Sequence, residues 1–318
     1  MKYTIIGTQK QDPLGLTVEK MRHAKKQSLK LAYIEYLRYI AHRDESALMR
    51  ADRVYACSTV WMGKKCPVCG QLHGMYTQGC HHRLCPICAV RKARATAAQA
   101  QTCVTLLREK HPTARIMLLT LTQKSVPAEE LGAEIDRLLE AWKHIRYARE
   151  VRRDMVAWAR TIEVTVSSEG YHPHIHAIIM VSSESKLETQ TEWRRLWAEV
   201  LGLDYVPICD IRPIADIGAV YEVSKYISKV SRLLDAPLGQ AYDYIDTLSF
   251  ATYRRHLRSY GGEWARMRKE LSMHDAEEMS DTELDAVGAA LDHDTCATCG
   301  GDLQPVCLIW SGMDYKER

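Results

Sequence analysis

Between residues 161 and 181 the chain reads TIEVTVSSEGYHPHIHAIIMV, a run that suits a β-hairpin. Ile162, Val164 and Val166 alternate with Thr161, Glu163 and Thr165, the period-2 pattern of a half-buried strand. Glu169-Gly170 stands where a two-residue turn needs a positive φ, which glycine supplies. The return strand carries His174 and His176, and side chains at i and i+2 share one face of a sheet. With the turn centred on Glu169-Gly170, Glu163 falls opposite His176 and Thr165 opposite His174, with opposed Cβ atoms about 5 Å apart. Two imidazoles and a carboxylate then converge, a donor set suited to zinc, non-haem iron or manganese. His172 lies on the same face and is a rival third ligand. Pro173 lacks a backbone donor, so the strand is expected to begin there or to lie at a sheet edge. The bland alternative is a pair of satisfied surface histidines; two on one face with a carboxylate opposite favour the metal.

Composition limits the rest. A chain of 318 residues can bury a full core, in one large or two modest domains. Its formal charge of +3 does not by itself indicate a polyanionic partner. There is no apolar run of membrane-spanning length, and the start MKYTIIGTQK lacks signal-peptide architecture, so a cytoplasmic location is expected. In that compartment the 11 cysteines are reduced or metal-bound. Cys66-x2-Cys69 and Cys85-x2-Cys88 have the spacing of a four-cysteine structural zinc site, which would stabilise a segment with little apolar core. Cys80 with Cys85 and Cys88 is an alternative set, and Cys57, His73, His81 and His82 leave two ions open. Cys296-x2-Cys299-Gly300 is half a zinc knuckle, with Cys307 or His293 as further candidate ligands.

Four segments follow: 1–56, basic and helical; 57–110, zinc-binding with a helix; 111–234, α+β; and 235–318, basic and helical with an acidic stretch and the CxxCG knuckle. In the first, Leu29, Tyr33, Tyr36, Leu37 and Ile40 form an apolar helical stripe edged by Lys25, Lys26, Lys30 and Arg38. Strands at 115–124, the hairpin and 206–214, with helices at 129–149 and 187–201, give the order β-α-β-β-α-β. That is a ferredoxin-like or RRM-like core, an antiparallel sheet with helices on one face and the other face open for a site. Residues 216–234 read as an amphipathic helix with Glu222, Lys225, Tyr226 and Lys229 on its polar side; standing alone it would be an ordinary surface helix. Residues 235–249 read as a linker or small lobe. In 250–271, Arg254, Arg255 and Arg258 interleave with Tyr253, Tyr260 and Trp264, a pattern that can grip single-stranded nucleic acid or form a solvated helix. Residues 274–294 are acidic and read as an exposed helix or linker.

The HPHIHAII run, the YEVSKYISK segment, the upstream LLTLT strand and CHHRLCPIC together resemble rolling-circle plasmid replication initiators of the HUH endonuclease superfamily, over residues 80–229. The resemblance implies that His174 and His176, with Glu163 as third ligand from the pairing argument, hold Mg²⁺ or Mn²⁺ at the scissile phosphate. It implies that Tyr226 is the nucleophile, with Lys225 or Lys229 favouring its phenolate, and that nicking leaves a 5′-phosphotyrosine and a 3′-OH primer, the strands being rejoined at termination. Lys229 matches the family lysine three residues after the tyrosine. Glu222 stands where phage initiators have a second tyrosine, and would activate the water that ends replication. Single-stranded or hairpin origin DNA, a host helicase and a DNA polymerase are the implied partners. A single-strand transposase or mobilisation relaxase would share this chemistry. A non-catalytic zinc-dependent DNA-binding regulator would not need Glu163, His174, His176 and Tyr226 together. The CPVCG and carboxy-terminal knuckles fall outside the family pattern.

Overall fold

The computed structural model describes residues 17–214, 228–289, 295, 296 and 298–318. These form two compact units interleaved along the chain, one from 99–214 and 246–273, the other from 17–98, 228–245 and 274–318.

The first unit is α+β, as its periodicity predicts. β3 (Arg115–Leu121), α4 (Leu131–Ile145), β4 (Met155–Ser167), β5 (Gly170–Val181), α6 (Gln190–Leu201) and β6 (Cys209–Pro213) follow one another, with a short α5 (Arg149–Asp154) before β4. The all-antiparallel sheet has the order β6-β3-β5-β4-β7, the ferredoxin-like order with one strand added at the β4 edge. That strand, β7 (Arg258–Gly262), falls where a helix was one expectation. Gly261 permits it: a Cβ there would lie 2.2 Å from the Trp158 ring.

On one face of the sheet, α4 and α6 cover Leu119, Ile175, Ala177, Ile179 and Val181 with Leu138, Trp142, Trp193 and Trp197, all buried. Both inner tryptophans of α6 find acceptors, Trp193 at Leu187 O (2.8 Å) and Trp197 at Thr122 O (2.9 Å). The other face was expected to be open, and along half its length it is not. Ile116, Leu118, Ala157, Ala159, Ile178 and Met180 pack there against Cys103, Val104, Leu107, Trp264, Met267 and Met273, from α3 (Pro86–Lys110), α9 (Glu263–Glu270) and the residues after α9. His174, His176 and Glu163 continue the same face beyond that cover.

The hairpin is real, but its register differs from the expected one. Glu163 pairs with His174, Thr161 with His176, Thr165 with His172 and Ser167 with Gly170, so the two turn residues are Ser168 and Glu169. Gly170 has φ +109°, and a Cβ there would stand 2.6 Å from Val126 O, because Val126 and Tyr171 exchange backbone hydrogen bonds of 2.8 Å. Gly170→Ala is therefore expected to cost about 1–3 kcal/mol, read as a lowered Tm, while Glu169→Ala in the same turn should leave the Tm unchanged. Pro173 sits in a central strand, not at its start or at an edge. It is tolerated because β3 ends opposite Ile175, so no ladder partner on that side needs its missing N–H.

The second unit contains α1 (Val18–His42) and α2 (Glu45–Ala56), the first half of α3, α7 (Ser228–Asp235) and the start of α8 (Leu238–Thr252), and α10 (Asp281–Ala289). It also holds a sheet with no counterpart in the sequence reading: β1 (Val60–Lys65), β2 (Leu72–Thr77), β8 (Gln304–Trp310) and β9 (Tyr315–Glu317), in the order β2-β1-β8-β9. α8 replaces the expected linker. Helix α1 is turned round: Tyr33 is 49%, Tyr36 44% and Ile40 56% exposed, while Lys25, Gln27, Ser28, Glu35 and Arg38 are buried. Each buried polar group has its partners. Lys25 Nζ donates to Tyr55 O and Cys57 O, Ser28 Oγ to Val54 O, and Gln27 Nε2 to Ser231 O. Burial alone would raise the Glu35 carboxyl, but His82, Arg38 and Arg50 bring it down to about 2. The acidic stretch is no exposed linker either. Ala276, Met279 and Leu284 bury against Ala95, Arg91 Nη1 reaches Asp281 (2.5 Å) and Lys92 Nζ reaches Glu277 (2.7 Å). Among the described residues, no helix is long and apolar enough to cross a membrane.

Candidate active site and thiol clusters

Strands β4 and β5 bring Glu163, His174 and His176 together, with one ligand atom from each lying within 4.8 Å of the others. Glu163 Oε2 is 3.4 Å from His174 Nε2 and 2.9 Å from His176 Nε2. The imidazoles meet edge to face, centroids 4.7 Å apart. Glu163 and His174 are 4% and 6% exposed, so the carboxylate has largely lost its water.

The rings are held from behind. His174 Nδ1 lies 3.0 Å from His172 O. A carbonyl only accepts, so Nδ1 carries the proton and Nε2 turns its lone pair towards Glu163. His176 Nδ1 lies 3.0 Å from Thr120 Oγ1, on the neighbouring strand at the position paired with His176. A hydroxyl can donate or accept, so this contact orients the ring without choosing its tautomer. His174 Nε2 and Glu163 Oε2 face one another as acceptors, and with His176 Nε2 unprotonated all three atoms would be ligands to a shared cation. The donor set fits a divalent ion of the Mg²⁺, Mn²⁺ or Zn²⁺ kind. His172, the rival ligand, pairs with Thr165 and contributes its backbone carbonyl behind His174.

Eight of the 11 cysteines form two groups, neither of them the pairing of Cys66 and Cys69 with Cys85 and Cys88. One is Cys57, Cys80, Cys85 and Cys88; the other is Cys66, Cys69, Cys296 and Cys299. In the first, Cys57 Sγ is 3.8 Å from Cys85 Sγ and 3.7 Å from Cys88 Sγ, and Cys80 Sγ is 3.6 Å from Cys88 Sγ. In the second, Cys66–Cys299 and Cys69–Cys296 are 3.4 and 3.5 Å apart. A zinc with Zn–S bonds of about 2.3 Å has tetrahedral S···S edges of about 3.8 Å. Both groups fit a structural metal such as zinc. Cys307 pairs with Met62 inside the sheet and belongs to neither. Pro86 begins α3 directly after Cys85, at the helix position where a missing N–H costs least, and this puts Cys88 in the first turn.

Tyr226, Glu222 and Lys225 lie outside the described residues, as does His293. Lys229 falls within α7. Of the arginines read as DNA-binding, Arg255 is engaged within the fold: its guanidinium meets Asp136 at 2.7 Å and donates to Ala251 O. Arg258 opens β7 opposite Thr161, and Arg254 stands over the Tyr253 ring at 5.2 Å.

The family model described as Replication protein matches residues 71–298. The chain belongs to the replication protein (Rep) family. The resemblance to rolling-circle plasmid initiators read from its motifs agrees with that membership. A Rep protein of Streptococcus pneumoniae serotype 2 is 33% identical over 211 residues, which is 62% of this chain and 65% of the relative. One from Bacillus amyloliquefaciens is 29% identical over 258 residues, 72% of this chain and 75% of the relative. A "Replication protein" of Staphylococcus aureus is 26% identical over 196 residues, 57% of this chain and 83% of the relative. No solved structure matches the chain significantly. The span common to the Rep family takes in Glu163, His174, His176, Cys80, Cys85 and Cys88, but not Cys57, Cys66, Cys69 or Cys299.

Proposed function

We propose that this Rep-family chain initiates rolling-circle plasmid replication by nicking one strand of origin DNA, with Glu163, His174 and His176 holding Mg²⁺ or Mn²⁺ and Tyr226 as nucleophile. The observation that carries the reading is the convergence of His174 Nε2, His176 Nε2 and Glu163 Oε2. When bound, a divalent ion would act as a Lewis acid on the scissile phosphate and orient it. His172 O and Thr120 Oγ1 hold the two imidazoles so that neither has to turn before binding. Glu163 supplies one negative charge and leaves the site cationic overall, as a phosphodiester requires.

A free phenol has a pKa near 10 and is a weak nucleophile at neutral pH; the positive charge of Lys225 and Lys229 favours the phenolate. The phenolate oxygen forms the new bond to phosphorus. The DNA 3′ oxygen leaves, takes up a proton and becomes the primer end. Glu222, four residues before Tyr226 in the sequence, is the base for the water that ends the round.

The test is incubation with end-labelled single-stranded origin DNA and Mn²⁺, followed by a denaturing gel. The wild-type chain should give a nicked product and a covalent adduct. Tyr226→Phe should give no adduct while keeping its affinity for the same DNA; an adduct that persists in this variant removes Tyr226 from the mechanism.

A further inference from the structure

The sheet β2-β1-β8-β9 is closed by two copies of one turn. In CPVCG, Gly70 N donates to Cys66 O and Cys66 N to Gln71 O; in CATCG, Gly300 N donates to Cys296 O and Cys296 N to Gly301 O, all at 2.8 Å. Both glycines are left-handed, φ 75° and 71°, and the two turns face each other sulfur to sulfur. Against the pull of burial, the N–H groups of Thr298 and Cys299, with Cys69 and His73, bring Cys296 down to about 6. This is the donor geometry of a zinc ribbon, assembled from segments far apart in the chain.

The two faces of the ribbon differ. On one, Trp61, Thr77, Val306, Leu308 and Tyr315 are buried, and Trp61 Nε1 donates to Tyr315 Oη (3.2 Å), which donates to Ser58 O (2.6 Å). On the other, Val60, Met62 and Tyr76 are 40%, 46% and 44% exposed. Met62 stands between Tyr76 and Cys307, Val60 beside Ile309, and Ile309 beside Lys316. Lys64, which has a partner of its own in the structure, follows Met62 on the same side, and Lys316 is exposed beside Ile309.

We propose that this face is a docking surface for single-stranded DNA, separate from the nicking residues. Tyr76 and the apolar side chains around it offer a flat platform for an unstacked base, and Lys64 and Lys316 offer charge for the phosphates on either side. Stacked base pairs of a duplex cannot lay a ring on such a platform, which is why the single strand is the occupant. The inference rests on the reading that the chain acts on single-stranded origin DNA. The family match takes in Tyr76 and Cys296 but leaves out Val60, Met62, Lys64, Ile309 and Lys316 around them.

The test uses the full, zinc-loaded chain without added Mg²⁺ or Mn²⁺, and a fluorescent oligothymidylate. Tyr76→Ala should weaken binding about 5- to 150-fold, as loss of one stacked base does, and Tyr76→Phe should restore it. Lys64→Gln with Lys316→Gln should reduce the slope of log affinity against log salt by about 1.4. Unchanged affinity and slope in variants that retain zinc would overturn the proposal. So would loss of self-association with DNA binding intact, since the face would then be a protein contact. A wild-type chain that binds the oligothymidylate through this face but never nicks origin DNA would refute the proposed function and leave the surface standing.

Discussion

His176→Ala is expected to abolish Mn²⁺-dependent nicking, with a loss of about 10³-fold or more, the equivalent of several kcal/mol of metal assistance. His174→Ala should do the same, and Glu163→Ala should do so less completely. The fold should survive, because the sheet is anchored from its other face by α4 and α6 and, on this face, by the cluster around Trp264 and Met267. The clean readout is thermal. A ligand at 100 times its Kd stabilises the native state by about 2.7 kcal/mol, so Mn²⁺ should raise the Tm of the wild-type chain and leave that of the histidine variants unmoved. Normal nicking with tight Mn²⁺ binding in the Glu163 variant would show that His172 or a distant side chain is the third ligand.

The hairpin shows why this site could be seen in the sequence although its register was misread. Centring the turn one residue late changes every pairing by two, and a shift of two keeps each side chain on its face. Glu163 therefore stays on the side of His174 and His176; it moves from opposite His176 to opposite His174, still within reach of its diagonal neighbour. A shift of one would have destroyed the site. Gly170 was taken as a turn residue and is instead the first residue of β5; its positive φ serves the approach of Val126, a contact from outside the hairpin that no local pattern encodes.

Helix α1 failed for a different reason. Its apolar stripe is regular, and hydrophobic periodicity places such a stripe inside. The interior offered by the second unit is mixed, and α1 buries Met21, Leu31 and Ile34 in it beside its polar residues. It is lined by thiols, backbone carbonyls and the side chains of His82 and Arg50, so Lys25, Ser28 and Glu35 are the residues that find partners there. The ribbon sheet escaped because β1 pairs with β8 across most of the chain, and its strands carry glycine and lysine instead of a β-branched run. Helix α8 did carry a signal: Ala241, Ile245, Leu248 and Ala251 recur at helical spacing and are all buried.

The largest effect on stability is expected from Cys85→Ser or Cys88→Ser. Cys57, Cys80, Cys85 and Cys88 are 2%, 6%, 0% and 2% exposed, with sulfurs too far apart for disulfides, which need about 2.05 Å. Burial pushes the Cys85 thiol well up, whereas hydrogen bonds from Cys80, Cys85 and Cys88 hold Cys57 far below the usual thiol range. A second or third thiolate in that space needs a cation among the sulfurs. Lys25, itself 1% exposed, adds positive charge beside the cluster while donating to Cys57 O (2.5 Å). Structural zinc in small domains contributes about 10–16 kcal/mol of binding energy that is also folding energy. That is comparable to the whole stability of an ordinary domain, about 5–15 kcal/mol. Metal analysis of the wild-type chain should therefore find two zinc ions held by cysteine. Cys85→Ser should lose one and unfold the helices around it, seen as lost helical circular dichroism and rapid proteolysis of α1 and α2. Cys299→Ser, at the exposed end of the ribbon, should lose the other ion and keep those helices. A well-folded wild-type preparation free of zinc would end the structural-metal reading for both groups, and one ion per chain would end it for one of them.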